Sequence, residues 1–193
     1  MELDHLVVGA ATLEEGVAWC ERVLGVTPGP GGKHALMGTH NRLLNISAPN
    51  HPRCYLEIIA IDPEAPPPGR ARWFDLDQPA LQQRLREAGP GLIHWVARVP
   101  NLDAALAQWR GEGVDAGEPV TASRGALSWR IALREDGRRL RREALPVMIE
   151  WGDAHPTDAM PASGVELLSF EARDGLQARL QTARGELVLE LIG

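Results

Sequence analysis

The sequence predicts an α+β protein in which two βαβββ modules form a curved mixed sheet around a central cleft, followed by a short C-terminal β-α-β extension. Three observations carry that expectation. A strand-like segment with one histidine, Leu3-Asp4-His5-Leu6-Val7-Val8, recurs as Leu92-Ile93-His94-Trp95-Val96-Ala97 at an offset of 94 − 5 = 89. Seven residues past each histidine stands a helix-capping residue, Thr12 in one copy and Asn101 in the other. Each half then closes on an apolar strand holding a single glutamate, Leu56-Glu57-Ile58 and Ile149-Glu150-Trp151. A repeat of this length is one supersecondary unit used twice.

In chain order, Leu3 to Val8 opens the first module as a strand. Thr12 with Glu15 supplies a capping box, and Leu13, Val17 and Cys20 lie on one helical face that ends at Gly25. Gly29 to Gly32 reads as a turn, His34 to Met37 and Arg42 to Ala48 as short strands, and Cys54 to Ile61 as a longer one. The module spans residues 1–62, and residues 63–91 connect it to the next through a proline-rich loop and a helix over Gln78 to Ala88. The second module, 92–152, repeats the plan. Leu102, Leu106 and Trp109 match the first helical face, Gly111 or Gly113 ends the helix, and Glu118 to Ala122, Ala126 to Leu133 and Leu145 to Trp151 are strands. Asp136-Gly137 is a hairpin signal. Residues 153–193 form a linker and the extension, with strands over Val165 to Ala172 and Glu186 to Ile192 around a helix over Leu176 to Ala183.

Composition limits the function classes. A chain of 193 residues with 44% hydrophobic and 24% charged residues has enough apolar material for an ordinary core. Its net charge of −6 opposes binding to nucleic acid, and the local cluster Arg138, Arg139, Arg141 and Arg142, with no interleaved aromatics, reads as a solvated hairpin tip. No stretch reaches the ~20 apolar residues of a membrane span. Cys20 and Cys54 sit in apolar stretches without a C-x-x-C spacing, which suits a reducing compartment and a cytoplasmic location.

A single histidine in an apolar strand is usually a hydrogen-bonded core residue, and a single glutamate usually faces solvent. Their joint recurrence in both halves points instead to a site. The separations are similar, 57 − 5 = 52 and 150 − 94 = 56. Two modules about a pseudo-twofold axis would bring His5, Glu57, His94 and Glu150 into one cleft as two imidazoles and two carboxylates, a donor set for one divalent ion such as zinc, nickel, manganese or iron. Gly31-Gly32-Lys33-His34 and Gly38-Thr39-His40-Asn41 are expected to line the cleft, with His34 and Asn41 offering hydrogen bonds to an oxygenated substrate. Arg72, Trp73 and Phe74 are expected to seal the core. Whether the modules pair within one chain or between two chains of a homodimer is left open.

With those residues in view, the chain resembles the vicinal-oxygen-chelate superfamily over residues 1 to about 156. LDHLVVGAATLEEGVAWCERVLG, GGKHALMGTHNRLLNI, YLEIIAID and IEWG are similar to its glyoxalase-like domain subgroup. The resemblance implies His5, Glu57, His94 and Glu150 as metal ligands, the set of metal-dependent glyoxalase I and nearly that of acyl-CoA epimerases. It implies a lyase or isomerase that chelates vicinal oxygens of a small substrate and stabilises an enediolate, with Glu150 as the base and Glu57 as second choice. The same architecture also serves metal-free small-molecule binding or resistance proteins, and extradiol dioxygenases with three protein ligands.

Overall fold

The computed structural model describes residues 1–140, 145–172 and 175–192. The first module comprises β1 (Glu2–Gly9), α1 (Leu13–Val23), β2 (Gly29–His34), β3 (Thr39–Asn45) and β4 (Tyr55–Ile61). After the connecting helix α2 (Pro79–Ala88), the second comprises β5 (Gly91–Arg98), α3 (Leu102–Gly111), β6 (Glu118–Arg124), β7 (Leu127–Leu133) and β8 (Val147–Trp151). The eight strands form one curled sheet in the order β2-β3-β4-β1-β5-β8-β7-β6. The two modules meet within the chain, where β1 and β5 pair antiparallel, and each opening strand pairs parallel with the closing strand of its own module.

Both helix starts are set by their caps. Thr12 Oγ1 accepts from Glu15 N–H and Asn101 Oδ1 from Ala104 N–H, each satisfying one of the orphan donors of a helix N-terminus. Helix α1 buries Leu13, Gly16, Trp19 and Cys20 against the convex side of the sheet, leaving Val17 half-buried. Gly16 takes the place expected for Val17 because Ile58 of β4 packs on its backbone, where a Cβ would overlap Ile58 Cγ2. The equivalent face of α3 packs Leu102, Leu106 and Trp109 with Ala132 and Met148.

The connecting segment turns into the concave side. Trp73, Phe74, Leu76, Leu81 and Leu85 form a second apolar cluster with Val7, Ile59, Ile93 and Ile131. The chain makes that entry through positive φ at Phe74 (59°) and Asp75 (62°), conformations that non-glycine residues adopt only where the surroundings impose them. Here the fastening is a buried ion pair, Arg139 Nε to Asp75 Oδ2 at 2.9 Å, with Arg139 also donating to Ile93 O at 2.5 Å.

Several local expectations differ. Gly29 to Gly32 is not a turn but most of the edge strand β2, and the turn falls at residues 35–38. Of the arginine cluster, Arg138 is exposed as expected, Arg139 is buried in the ion pair just described, and Arg141 and Arg142 lie outside the described residues. The extension is three antiparallel strands, β9 (Glu166–Glu171), β10 (Gln177–Thr182) and β11 (Gly185–Glu190), so the helix expected over Leu176 to Ala183 is absent. Ala178, Leu180 and Thr182 are buried with period two, because pairing on both sides decides what local propensity does not. This small sheet adds Leu167, Leu180 and Leu189 to the cluster under α1. Among the described residues no helix is long and apolar enough to cross a membrane.

Candidate functional site

The concave face of the first module gathers His5, His34, Asn41, Tyr55 and Glu57. Register explains why. Parallel pairing places His5 beside Tyr55 and Val7 beside Glu57, so all four side chains share a face, and Leu43 of β3 stands opposite Glu57. Asn41 lies two residues from Leu43 on the same face, with Gly32 opposite it on β2.

A β-bulge supplies a further member. In the β1–β5 ladder Leu3 faces Ala97 and His5 faces Val96, so Asp4 is an extra residue in β1. A bulge re-aims side chains, and the neighbours Asp4 and His5 meet at 2.7 Å, Oδ1 to Nδ1. Asp4 is wholly buried and also receives His155 Nε2 at 3.1 Å, Trp151 Nε1 at 3.0 Å and Arg98 Nη1 at 3.3 Å. Burial alone would raise its pKa, but the hydrogen bonds from His155 and His5 outweigh it and hold the carboxyl well below the usual range. Being ionised, Asp4 can only accept, so His5 donates through Nδ1 and leaves Nε2 to the cleft.

Glu57 is 5% exposed. Its Oε1 accepts from Asn41 Nδ2 at 2.6 Å, its Oε2 lies 3.6 Å from His5 Nε2, and His34 Nε2 is 4.0 Å from Oε1. Asn41 Oδ1 accepts from Gly32 N–H at 2.8 Å, which fixes the amide with its nitrogen toward Glu57. That nitrogen also reaches His34 Nε2 at 3.2 Å, so Nε2 accepts and His34 donates through Nδ1 to Thr39 Oγ1 at 3.0 Å. Burial lowers the His34 pKa to about 4, against the opposing pull of Glu57 and with Arg124 adding to the depression. Tyr55 stacks on His5 with ring centroids 4.4 Å apart.

The inner cavity at these groups is small, about 40 Å³, and is walled by Trp73, Phe74, Trp129 and Trp151. Arg124, at the end of β6, reaches it from the opposite edge of the sheet. Its Nη1 donates to Asn41 Oδ1 at 3.4 Å, and its guanidinium lies where a Cβ on Gly32 would stand.

The other two expected ligands do not join this group. His94 is buried on β5 with Nε2 lacking a hydrogen-bond partner among the described residues, 5.6 Å from the Phe74 ring. Burial, then the Arg139 charge, lowers it to about 3. Glu150 faces the opposite side of the sheet, where its Oε2 accepts from Leu102 N–H at 2.7 Å and lies 3.5 Å from Arg130. The registers give the reason. Val7 pairs with Glu57 and its equivalent, Val96, pairs with Val147, so Glu57 corresponds to Val147. Glu150 lies 150 − 147 = 3 residues beyond, an odd number, and strand alternation turns it outward. His5, Glu57, His94 and Glu150 therefore do not fit a single divalent ion. No group of three or more His, Cys, Asp or Glu among the described residues is arranged to hold one.

Three groups of this cluster escape a sequence reading. Asp4 carries a signal, a carboxylate inside an apolar strand, but strict alternation would put it on the face opposite His5. His155 has no local signal before the 3-10 turn at Pro156–Asp158, which it caps through Nδ1. Arg124 is an arginine at a hairpin end like many others.

Comparison with known proteins fits this architecture. A solved hypothetical protein from Staphylococcus aureus superposes with a TM-score of 0.60 at 14% identity, covering 98% of this chain and 85% of its own. Methylmalonyl-CoA epimerase from Mycobacterium tuberculosis gives 0.46 at 21% identity, covering 82% and 92%. A variant of the Streptomyces coelicolor methylmalonyl-CoA epimerase in complex with 2-nitronate-propionyl-CoA gives 0.48 at 15%, covering 80% and 99%. No curated protein sequence matches the chain. The family model described as a glyoxalase-like domain matches residues 3–187, nearly the whole chain. With the paired βαβββ modules already traced, that match makes the chain a member of the glyoxalase-like domain family.

Proposed function

We propose that the protein is an isomerase-type enzyme that moves a proton on a small oxygenated substrate, with Glu57 as base and His5 as its acid partner. The observation that carries this reading is the chain Asp4–His5–Glu57, with 2.7 Å and 3.6 Å between successive partners, beside a small cavity. Asp4 orients the ring and balances a proton on it, as a carboxylate behind a catalytic imidazole does. Asn41, donating to Glu57 Oε1, holds that carboxylate with Oε2 toward His5.

The step needs no external reactant. Glu57 takes a proton from a hydroxyl-bearing carbon next to a carbonyl, and the C–H electron pair passes into the C–C bond as the carbonyl pair moves to oxygen. For this step His5 carries a proton on both nitrogens, its charge balanced by Asp4. It gives the Nε2 proton to that oxygen, leaving an enediol; Nε2 then takes the proton of the other hydroxyl while Glu57 returns its proton to the neighbouring carbon, which restores both groups. General acid–base catalysis of this kind contributes roughly 10²–10⁴-fold. The enediolate expected from the family resemblance is thus reached through Glu57, and no step passes through the four-ligand metal, whose donors do not converge.

The test is solvent exchange. In D2O, the protein is incubated with small α-hydroxy ketones, 2-oxo acids and acyl thioesters, and deuterium entry at carbon is read by NMR. Wild type should exchange at least one class, and Glu57→Gln should lose about 100-fold or more. Ligands that bind the cavity without exchanging would replace this reading by sequestration. Loss of exchange on chelation, restored by a divalent ion, would instead return a cation to the site.

A further inference from the structure

We infer that the substrate is an amphipathic anion whose oxyanionic end pairs with Arg124 while its apolar remainder lies in the adjoining groove, an inference that rests on the proton-transfer reading above.

Volume makes the first cut. The inner cavity of about 40 Å³ admits only the reacting end of a molecule. A groove of about 520 Å³ adjoins it, with Leu43, Arg124 and Pro156 in the walls of both. The remainder of any larger substrate has room there.

Chemistry makes the second. The groove is walled by apolar groups including Val26, Leu44, Leu127 and Met160, and among the described residues Arg124 is the one charged side chain lining it. Arg124 is half-buried, yet among the described residues it makes no ion pair, and its hydrogen bond to Asn41 is long at 3.4 Å. Other arginines around this site have carboxylates: Arg98 holds Asp4 and Glu2, and Arg130 holds Asp103. A guanidinium kept partly from water without a counter-ion is costly, and a planar carboxylate supplies the missing partner in bidentate form.

Position makes the third. Arg124 bonds the same amide that bonds Glu57, so an anion on the guanidinium sets the adjacent carbon beside the base. Gly32 keeps the place open, since a side chain there would displace the guanidinium.

The experiment titrates the protein with acetate, butyrate, hexanoate and octanoate and with the matching neutral amides, read by the fluorescence of Trp73, Trp129 and Trp151. Affinity for the acids should rise about threefold per methylene until the groove is filled. Octanamide should bind about tenfold or more weaker than octanoate. Arg124→Gln should reduce octanoate to the level of the amide, Arg124→Lys should recover part of the difference, and Met160→Asp should flatten the chain-length dependence. Equal binding of acid and amide, an Arg124→Gln protein that binds octanoate as wild type does, or no saturable binding overturns the inference. Intact binding with no solvent exchange on any substrate class removes the proton-transfer reading alone.

Discussion

Asp4 and Ile93 are the extra residues of two equivalent bulges, 93 − 4 = 89 residues apart, each immediately before a histidine in the antiparallel β1–β5 pair. The duplication has kept the backbone irregularity in both copies and the carboxylate before the histidine in one. Behind His5 the bulge presents a carboxylate that fixes the ring's tautomer. Behind His94 it presents an isoleucine, whose carbonyl is taken by Arg139, so that ring has no acid to orient it and a cation nearby. The proposed chemistry therefore belongs to the first module, completed by Arg124 from the second.

Asp4→Asn is expected to damage both fold and site. The carboxylate serves His5, His155, Arg98 and Trp151 at once, and an amide cannot accept from all of them. Removing one member of a buried charged network costs about 3 kcal/mol or more. Urea unfolding should show that loss, and solvent exchange in the folded fraction should fall because His5 is free to take the other tautomer. A variant as stable as wild type would mean that the network is worth no more than a surface pair.

Glu150→Ala separates the two carboxylates. Glu150 accepts the Leu102 N–H at the first turn of α3, and loss of such a cap costs about 1 kcal/mol. Thermal denaturation should register a small drop, while exchange and carboxylate binding stay at wild-type values. A collapse of either activity with the fold intact would place Glu150 in the chemistry.

How far the residues announce this arrangement depends on which rule governs each one. Thr12 and Asn101 were legible because capping is local chemistry. His5, His34, Asn41 and Glu57 were legible as members of glycine-rich or apolar strands, and the sheet brings them together. Glu150 was misread through parity: separations of 52 and 56 look alike along a chain, but only the strand register shows that Glu57 corresponds to Val147. Asp4 was hidden by the bulge, which breaks the alternation that a strand reading assumes. Gln177–Thr182 reads as helix because Ala, Leu, Gln and Arg favour one, and only pairing with β9 and β11 makes it a strand.

Gly16→Ala tests the packing of α1 on β4. Alanine gains helix propensity worth about 1 kcal/mol over glycine. Against that, the new methyl overlaps Ile58 Cγ2 and sits close to the Ala10 Cβ, and overpacking of a tight contact costs about 1–3 kcal/mol. The steric cost should win, with a lower thermal midpoint. Ile58→Leu in the same chain should recover part of it, because leucine lacks the Cγ2 branch that the methyl meets, and an unchanged or raised midpoint in the single variant would show that the helix shifts freely.

The two depressed histidines set the acid response. His34 and His94 have ordinary values of 6.5 when unfolded and about 4 and about 3 in the fold, so below pH 6.5 the unfolded chain binds protons that the folded chain refuses. Stability from this source is whole above pH 6.5 and is lost as pH falls toward those lower values. Each histidine contributes a slope of up to about 1.4 kcal/mol per pH unit. His94→Leu should remove one such contribution, flattening the stability profile between about pH 6 and pH 4. At pH 7 the change should be close to neutral, because leucine also relieves the buried Nε2 of its missing partner. If instead the variant keeps the full acid slope, His94 is neutral in the unfolded chain as well, or it is reached by water in the fold, and its burial does not govern the response.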